Sequence, residues 1–312
     1  MRFIFTTDGH LSSKRPVARV EKTDEEYIDN QLVKRRQMFE YAKKNGIKTI
    51  IDGGDFFQYW KMENSNYLLI QVIQVLSEYE DIAYHICVGN HDLQYHSMEN
   101  VQHSLIGVLW KMGLVVLHKN DTLNISGTNI LISFFGYGEE LVQQSIKDTA
   151  ICVVHENIFQ SQVPPYMNGY TAKELAEKLP DYDLYLCGHN HEQFIWSEND
   201  KIVLNGGSLM RLNTKQSDFK PAFWEIAVDE PLGKPLMKCK NISVQRHYVD
   251  ILPNMISSEH LKNKSIETFV ESTQEFSEGK EVFDFRKDVE NELEKRETKQ
   301  NVRNYVYNAL EA

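Results

Sequence analysis

Cysteine is scarce in this chain: four residues in 312, Cys87, Cys152, Cys187 and Cys239, with no CxxC pair. That excludes a zinc site built on thiolates and a disulfide-stapled scaffold. Three of the four lie inside apolar runs ("YHICVGN", "AICVVHE", "YLCGHNH") and read as reduced, buried small hydrophobes of a cytoplasmic protein. No apolar run approaches the ~20 residues of a membrane span. The apolar part of "MRFIFTTDGH" is too short for a signal peptide, so no membrane partner is expected. Positive charge is not in excess either. A net charge of -11 argues against a generally basic surface that grips nucleic acid unaided. It leaves open a nucleic-acid enzyme whose attraction comes from bound cations or a local basic patch. Internal repeats and low-complexity segments are also absent.

What remains is ordinary for a globular protein: 41% hydrophobic and 25% charged residues, and ample length for a core. The chain suits one large domain, or a large one plus a small one. Its first part alternates strand and helix. "RFIFTTD", "IKTIID" and "IAYHICV" are short apolar runs of strand type. Between them, Thr23 and Glu26 suggest a capping box ahead of a helix with Ile28, Leu32, Phe39 and Ala42 on one face, ending near Asn45-Gly46. Residues 65–79 and 100–112 are two further predicted helices. Beyond them "VVLH", "TLNIS", "NILISFFGY", "AICVVHE", "DLYLCGHNH", "QFIWSE", "KIVLNGGS", "PAFWEIAV" and "NISVQRHYVDI" read as strands, with one short helix over residues 171–178. A helix-rich half followed by a strand-rich half predicts an α/β fold of two sheets sharing a core. From Pro253 on, Ile266, Phe269, Val270 and Phe276, then Val302, Tyr305, Val306 and Leu310, mark two amphipathic helices around a charged stretch. They form either a small helical appendage or a docking element for a partner.

The polar residues at the strand ends form a pattern. The first strand delivers Asp8 and His10 ("TTDGH"), the second Asp55 ("DGGDFF"), and the third Asn90, His91 and Asp92 ("VGNHD"). A later strand delivers His155 ("CVVHE"), and "DLYLCGHNH" delivers His189 and His191. Each motif alone is weak, since a lone His beside an apolar run is usually a satisfied core or surface residue. Together they place carboxylates, imidazoles and a carboxamide where the carboxyl ends of strands converge in an open α/β sheet. Mixed oxygen and nitrogen ligands suit Mn²⁺, Zn²⁺ or Fe²⁺ more than an all-oxygen Mg²⁺ or Ca²⁺ site. Two such ions repel and need a shared anion, for which an Asp is fitted. Such a pair makes a bound water acidic enough to attack phosphorus in line. Glycines before Asp55, Asn90 and His189 are expected to let the backbone turn sharply.

The order D-x-H, G-D, G-N-H-D, H, G-H-x-H resembles the calcineurin-like metallophosphoesterase superfamily over residues 1–208. The resemblance implies a four-layered α/β/β/α sandwich of two mixed sheets and a pair of divalent metal ions, most often Mn²⁺. It also implies roles. Asp8, His10 and His191 would hold one ion, Asn90, His155 and His189 the other, and Asp55 would bridge. His91 would protonate the leaving oxygen or stabilise the transition state, with Asp92 orienting it. Within the superfamily, "VLNGGSLMR" is similar to the segment after the last histidine motif of SbcD-type double-strand-break repair nucleases, whose phage versions are close to this chain in size. That likeness implies DNA as substrate in repair or recombination, exonuclease or endonuclease action, and an SbcC-type ATPase docked through the C-terminal helices. It also allows a homodimer. Lys14, Arg15, Arg19 and Arg211 are the candidate phosphate contacts. On this reading residues 1–208 are the catalytic core, 209–252 strands capping it, and 253–312 the helical tail.

The residues after Asp55 depart from other branches. Phe56, Phe57, Gln58 and Tyr59 do not match the G-D-x-x-D-R-G of protein phosphatases. Gln58 stands where purple acid phosphatases place a metal-binding Tyr, some repair nucleases a His, and cyclic-nucleotide phosphodiesterases usually an Asp. Two alternatives stay open: the same chemistry on a nucleotide-sized phosphoester, and a non-catalytic scaffold of the same fold.

Overall fold

The computed structural model describes residues 1–249, apart from residue 18 and the segments 62–65, 126–127, 129, 144–148, 213–215, 217 and 230–240. Cys239 and the tail expected from Pro253 on lie outside the described residues. The first strand, β1 (Arg2–Thr6), sends Phe3 and Phe5 to one side and Ile4 to the other, the period of two that a strand requires. It pairs in parallel with β2 (Thr49–Asp52), which pairs with β3 (Ala83–Cys87), which pairs with β4 (Val116–His118). The helices between them are α1 (Asp24–Lys44), α2 (Tyr67–Glu78) and α3 (Leu105–Lys111). Thr23 caps α1 by accepting from the Glu26 N–H at 3.1 Å, while the Glu26 carboxylate reaches back to the Lys22 N–H at 2.8 Å.

The single helix expected over residues 100–112 is broken in two. A 3₁₀ stretch, Met98–His103, precedes α3, and Ser104 caps the new start by accepting from the Gly107 N–H at 3.1 Å. The Leu105 N–H is spent on the Trp60 carbonyl at 2.7 Å, a long-range bond that periodicity does not reveal.

The second sheet is built from β5 (Asn120–Asn124), β6 (Ile130–Phe135), β7 (Thr149–Glu156), β10 (Leu184–His189), β11 (Phe194–Glu198) and β12 (Lys201–Asn205), in the order β11-β12-β10-β7-β6-β5. Two short strands missed from the sequence, β8 (Ile158–Phe159) and β9 (Tyr170–Thr171), pair with each other before α4 (Ala172–Lys178). The last two strands, β13 (Ala222–Asp229) and β14 (Asn241–Tyr248), return to the first sheet, where β13 lies antiparallel to β1. They extend that sheet sideways. Among the described residues, both sheets have six strands and mix parallel and antiparallel pairs.

Three apolar clusters correspond to three layer interfaces. One joins α1, α2 and α3 to the first sheet through Ile28, Phe39, Val72, Leu109 and Ile50. A second lies between the sheets, with Phe3, Phe5, Ile51, Val153, Leu186 and Trp224. The third joins α4 to the second sheet through Leu175, Cys152, Tyr185 and Cys187. The layering is therefore α/β/β/α, as a sheet buried on both faces demands. Among the described residues, no helix is long and apolar enough to cross a membrane.

Candidate metal centre

The parallel strands of both sheets end on one rim, and every strand-end motif opens there. Two loops are zipped together by main-chain bonds: the Asp8 N–H donates to the Gly54 carbonyl at 2.9 Å and the His10 N–H to the Asp55 carbonyl at 2.8 Å. Asp8, His10, Asp55 and His189 all have left-handed backbone angles, with φ of 49°, 42°, 54° and 81°. Non-glycine residues rarely occupy that region, and such strain gathers at functional sites. Of the glycines expected to turn the chain, only Gly54 (φ 109°) does so. Gly89 and Gly188 are needed for space, since a Cβ at Gly89 would fall 2.2 Å from Asp55 Oδ1 and one at Gly188 2.3 Å from Thr7 Oγ1.

The side chains converge as two sets. Asp8, His10 and His191 form the first: His10 Nε2 lies 3.9 Å from Asp8 Oδ1, His191 Nε2 3.8 Å from Asp8 Oδ1, and the two imidazole Nε2 atoms are 2.9 Å apart. Asn90, His155 and His189 form the second: Asn90 Oδ1 is 3.2 Å from His155 Nε2 and 2.9 Å from His189 Nδ1. Asp55 Oδ2 stands between them, 3.7 Å from His10 Nε2 and 3.3 Å from His155 Nε2. Asp55 also groups with His155 and His189, and separately with His10 and His91.

Burial dominates the electrostatics of this cluster. Burial pushes the Asp8 carboxyl up to about 8, partly offset by His155 and reinforced by Asp55. Burial lowers His10 to about 3 and, together with His155, His189 to about 4, and it lowers His191 as well. These imidazoles are neutral at pH 7, with lone pairs free for ligation. Burial acts against the charge on His155, yet the Asp55 carboxylate beside it raises that ring to about 10. Burial opposes ionisation of Asp55 too, but His155 holds its carboxyl well below the usual range. Nitrogen and oxygen donors that face one another at 2.9–3.7 Å are what a pair of divalent ions would satisfy, once the His155 proton is displaced. The donor set therefore fits the ions that the sequence implies.

His91 stands beside both sets. Its ring centroid is 5.0 Å from that of His10, and its Nδ1 lies 2.6 Å from the Gln58 carbonyl oxygen. The expectation that Asp92 orients His91 is not met. The buried Asp92 carboxylate accepts main-chain N–H groups instead: Asp55 at 3.0 Å, Gly89 at 2.8 Å and Phe56 at 2.9 Å. It braces the loop that carries Asp55. Burial, with Asp55 nearby, pushes its carboxyl up to about 7.

Beside the two sets opens a cavity of about 490 Å³, lined by His10, Asp55, His91, His189 and His191 and by Ser12, Lys14, Arg15, Gln58, Tyr59 and Leu212 among others. Lys14 and Arg15 thus lie beside the two sets. Arg19 does not: it is buried, ion-paired with Glu21, and donates to the Arg211 carbonyl at 3.4 Å. Arg211 spends Nε on the Phe219 carbonyl at 2.5 Å and is not a wall of the cavity. The "GGSL" segment serves the site through its backbone, the Ser208 N–H donating to the His191 carbonyl at 3.4 Å and the Leu209 N–H to that of Asp8 at 3.3 Å. Sequence reading missed Tyr137, whose ring lies 5.4 Å from His189 and 4.9 Å from His96. Nothing in "FFGYG" marks it as a site residue.

The family description "Calcineurin-like phosphoesterase" matches residues 1–193. Among curated proteins the chain is similar to exonuclease subunit 1 of Enterobacteria phage T4, 31% identical over 162 residues, or 50% of this chain and 45% of that protein. It is also similar to an uncharacterized protein of Methanocaldococcus jannaschii, 25% identical over 179 residues, or 54% of this chain and 60% of that one. The chain spans about half the length of the curated relatives it matches. Similar solved structures include an archaeal phosphodiesterase (15% identity, TM-score 0.41, covering 80% of this chain and 100% of that one). Another is a putative 5'-nucleotidase from Staphylococcus aureus (16% identity, TM-score 0.47, covering 86% of this chain and 58% of that one).

Proposed function

The chain belongs to the calcineurin-like phosphoesterase family, and we propose that within it the protein is a dinuclear-metal phosphodiesterase that acts as a nuclease on DNA. One observation carries the two-metal part: Asp55 Oδ2 lies between the two ligand sets, 3.7 Å from His10 Nε2 and 3.3 Å from His155 Nε2. Asp8, His10 and His191 would hold one divalent ion, Asn90, His155 and His189 the other, and Asp55 would touch both. When bound, such a pair supplies an acidic water as nucleophile and neutralises charge on the phosphoryl oxygens. Mn²⁺ is the ion we expect.

The chain's own groups supply the rest. His91 keeps one proton on Nδ1, facing the Gln58 carbonyl, and presents Nε2 for proton transfer to the leaving oxygen. Lys14 and Arg15 line the wall of the cavity and would neutralise phosphates on either side of the scissile bond. Thr7 donates Oγ1–H to Asp8 Oδ2 at 2.8 Å and holds that carboxylate in place.

The nuclease part rests on the likeness to the phage T4 exonuclease subunit and on the basic wall beside the metal ligands. On the same reading the work is DNA repair or recombination, the helices expected after Pro253 dock an SbcC-type ATPase, and a homodimer would present two such sites. A reducing cytoplasm fits the buried, unpaired Cys87, Cys152 and Cys187. The second reading, a phosphodiesterase of nucleotides, is favoured by one observation: a cavity of about 490 Å³ has the size of a small ligand site.

The test is Mn²⁺-dependent digestion of end-labelled linear duplex DNA beside a chromogenic phosphodiester, with wild type and His91→Asn in parallel. Degradation of DNA by wild type, lost in the variant, is the expected result. Turnover of the small ester alone, also with an added SbcC-type partner, would replace the nuclease with the nucleotide enzyme.

A further inference from the structure

Arg35, on α1, is a buried cation that neither ligand set uses. Its Nη1 donates to Tyr84 Oη at 2.8 Å and lies 3.8 Å from Asp52 Oδ2. Tyr84 in turn donates to Asp52 Oδ2 at 2.8 Å. The guanidinium carbon sits 4.2 Å from the centre of the Phe56 ring. Two of its nitrogens, Nε and Nη2, are buried without a hydrogen-bond partner. Leaving donors of a buried cation unpaired costs free energy, which the contacts with Asp52, Tyr84 and Phe56 offset only in part.

Its other neighbour is Gly9, between Asp8 and His10. A Cβ on Gly9 would fall 1.9 Å from Arg35 Nη2 and 3.4 Å from the Phe56 carbonyl oxygen. Gly9 has an ordinary negative-φ or extended backbone, in contrast to Asp8 at 49° and His10 at 42°. The group that a side chain at position 9 would meet first is the Arg35 guanidinium. The same guanidinium lies against Phe56, which follows the bridging Asp55, and the two loops are joined through His10 N–H to Asp55 C=O at 2.8 Å and Leu11 N–H to Phe56 C=O at 2.9 Å.

We propose that Arg35 is a positioning residue of the metal centre: a rigid planar floor under Gly9 that fixes the separation of Asp8 and His10. It thereby tunes the ion of the Asp8, His10 and His191 set more than that of the Asn90, His155 and His189 set. The proposal rests on the two-metal reading. A residue that supports ligands from behind changes metal affinity by roughly 10–100-fold when altered.

Arg35→Lys keeps a cation for Asp52 and Tyr84 and removes the planar group under Gly9. Mn²⁺ titration by calorimetry and electron paramagnetic resonance reads the two sites, with His191→Ala and His189→Ala as references for loss of the first and of the second ion. Expected for Arg35→Lys is a 10–100-fold weaker binding that matches the His191→Ala pattern, with the second ion unchanged. Gly9→Ala, which collides with Arg35, is expected to give the same pattern. In the double variant Gly9→Ala/Arg35→Lys the alanine should cause no further loss, because the colliding nitrogen is gone. Wild-type affinities in Arg35→Lys, equal weakening of both ions, or a Gly9→Ala effect that is the same with arginine or lysine at 35 would overturn the proposal. If wild type binds no pair of ions, the two-metal reading falls, and this proposal with it. If wild type binds two and the variants bind both as well, the proposal alone fails.

Discussion

Nδ1 of His91 lies 2.6 Å from the carbonyl oxygen of Gln58. A carbonyl can only accept, so Nδ1 carries a proton in either charge state and Nε2 is the nitrogen free to give or take one. Replacing His91 by Asn should cut turnover by roughly 10²–10⁴-fold, the usual contribution of a general acid, and leave two ions bound. Metal analysis of the purified variant checks the second half. Loss of an ion would instead make His91 a ligand beside His10 and Asp55, with which it also groups.

Asp55 Oδ2 lies 3.7 Å from a ring nitrogen of one set, His10 Nε2, and 3.3 Å from one of the other, His155 Nε2. Asp55→Ala should abolish metal pairing, leaving at most one ion per chain. A variant that still binds two, seen by calorimetry and magnetic coupling, would remove Asp55 from the bridging position.

Metal binding should release protons. Without metal, His155 is held protonated up to about 10 by Asp55, despite its burial. An ion needs that lone pair, so at pH 7 its entry displaces the proton. Affinity at the Asn90, His155 and His189 set should therefore rise with pH, by up to about tenfold per unit below the raised value. Calorimetry at one pH in buffers of different ionisation enthalpy measures the release, and a buffer-independent heat would contradict it.

Asp92→Asn separates a brace from a catalytic partner. Its carboxylate collects the N–H groups of Asp55, Gly89 and Phe56, and an amide offers only one accepting oxygen. Leaving a buried donor unpaired costs about 1–3 kcal/mol, visible in urea unfolding. Metal pairing should weaken along with it. A variant with wild-type stability and pairing but slow turnover would return Asp92 to the role of orienting His91.

The cationic residues of the first loop should divide into two kinds. Lys14→Ala and Arg15→Ala should weaken DNA binding without unfolding, each lowering the salt dependence by about one phosphate contact. Arg19→Ala strands a buried Glu21 and should cost about 3–5 kcal/mol of stability. A stable Arg19→Ala chain with weakened DNA binding would reverse that division.

Sequence alone determined the strands of the two large sheets, the two-faced alternation along them, and the chemistry at their ends. Phe3 and Phe5 against Ile4, or Leu184 and Leu186 against Tyr185 and Cys187, are set by a period of two that any reader of the chain can count. The residues that gather at the rim were legible because a metal pair would demand particular donor atoms, and those atoms belong to few residue types. Tertiary structure decided what those neighbours do. Lys14 and Arg19 look alike in sequence, yet one lines the cavity and the other is buried against Glu21. Asp92 follows His91 in the chain but serves Asp55. Arg35 is an ordinary helix residue until α1 packs it under Gly9. Such roles depend on contacts between residues far apart in the chain, and only packing fixes which of several partners a side chain meets.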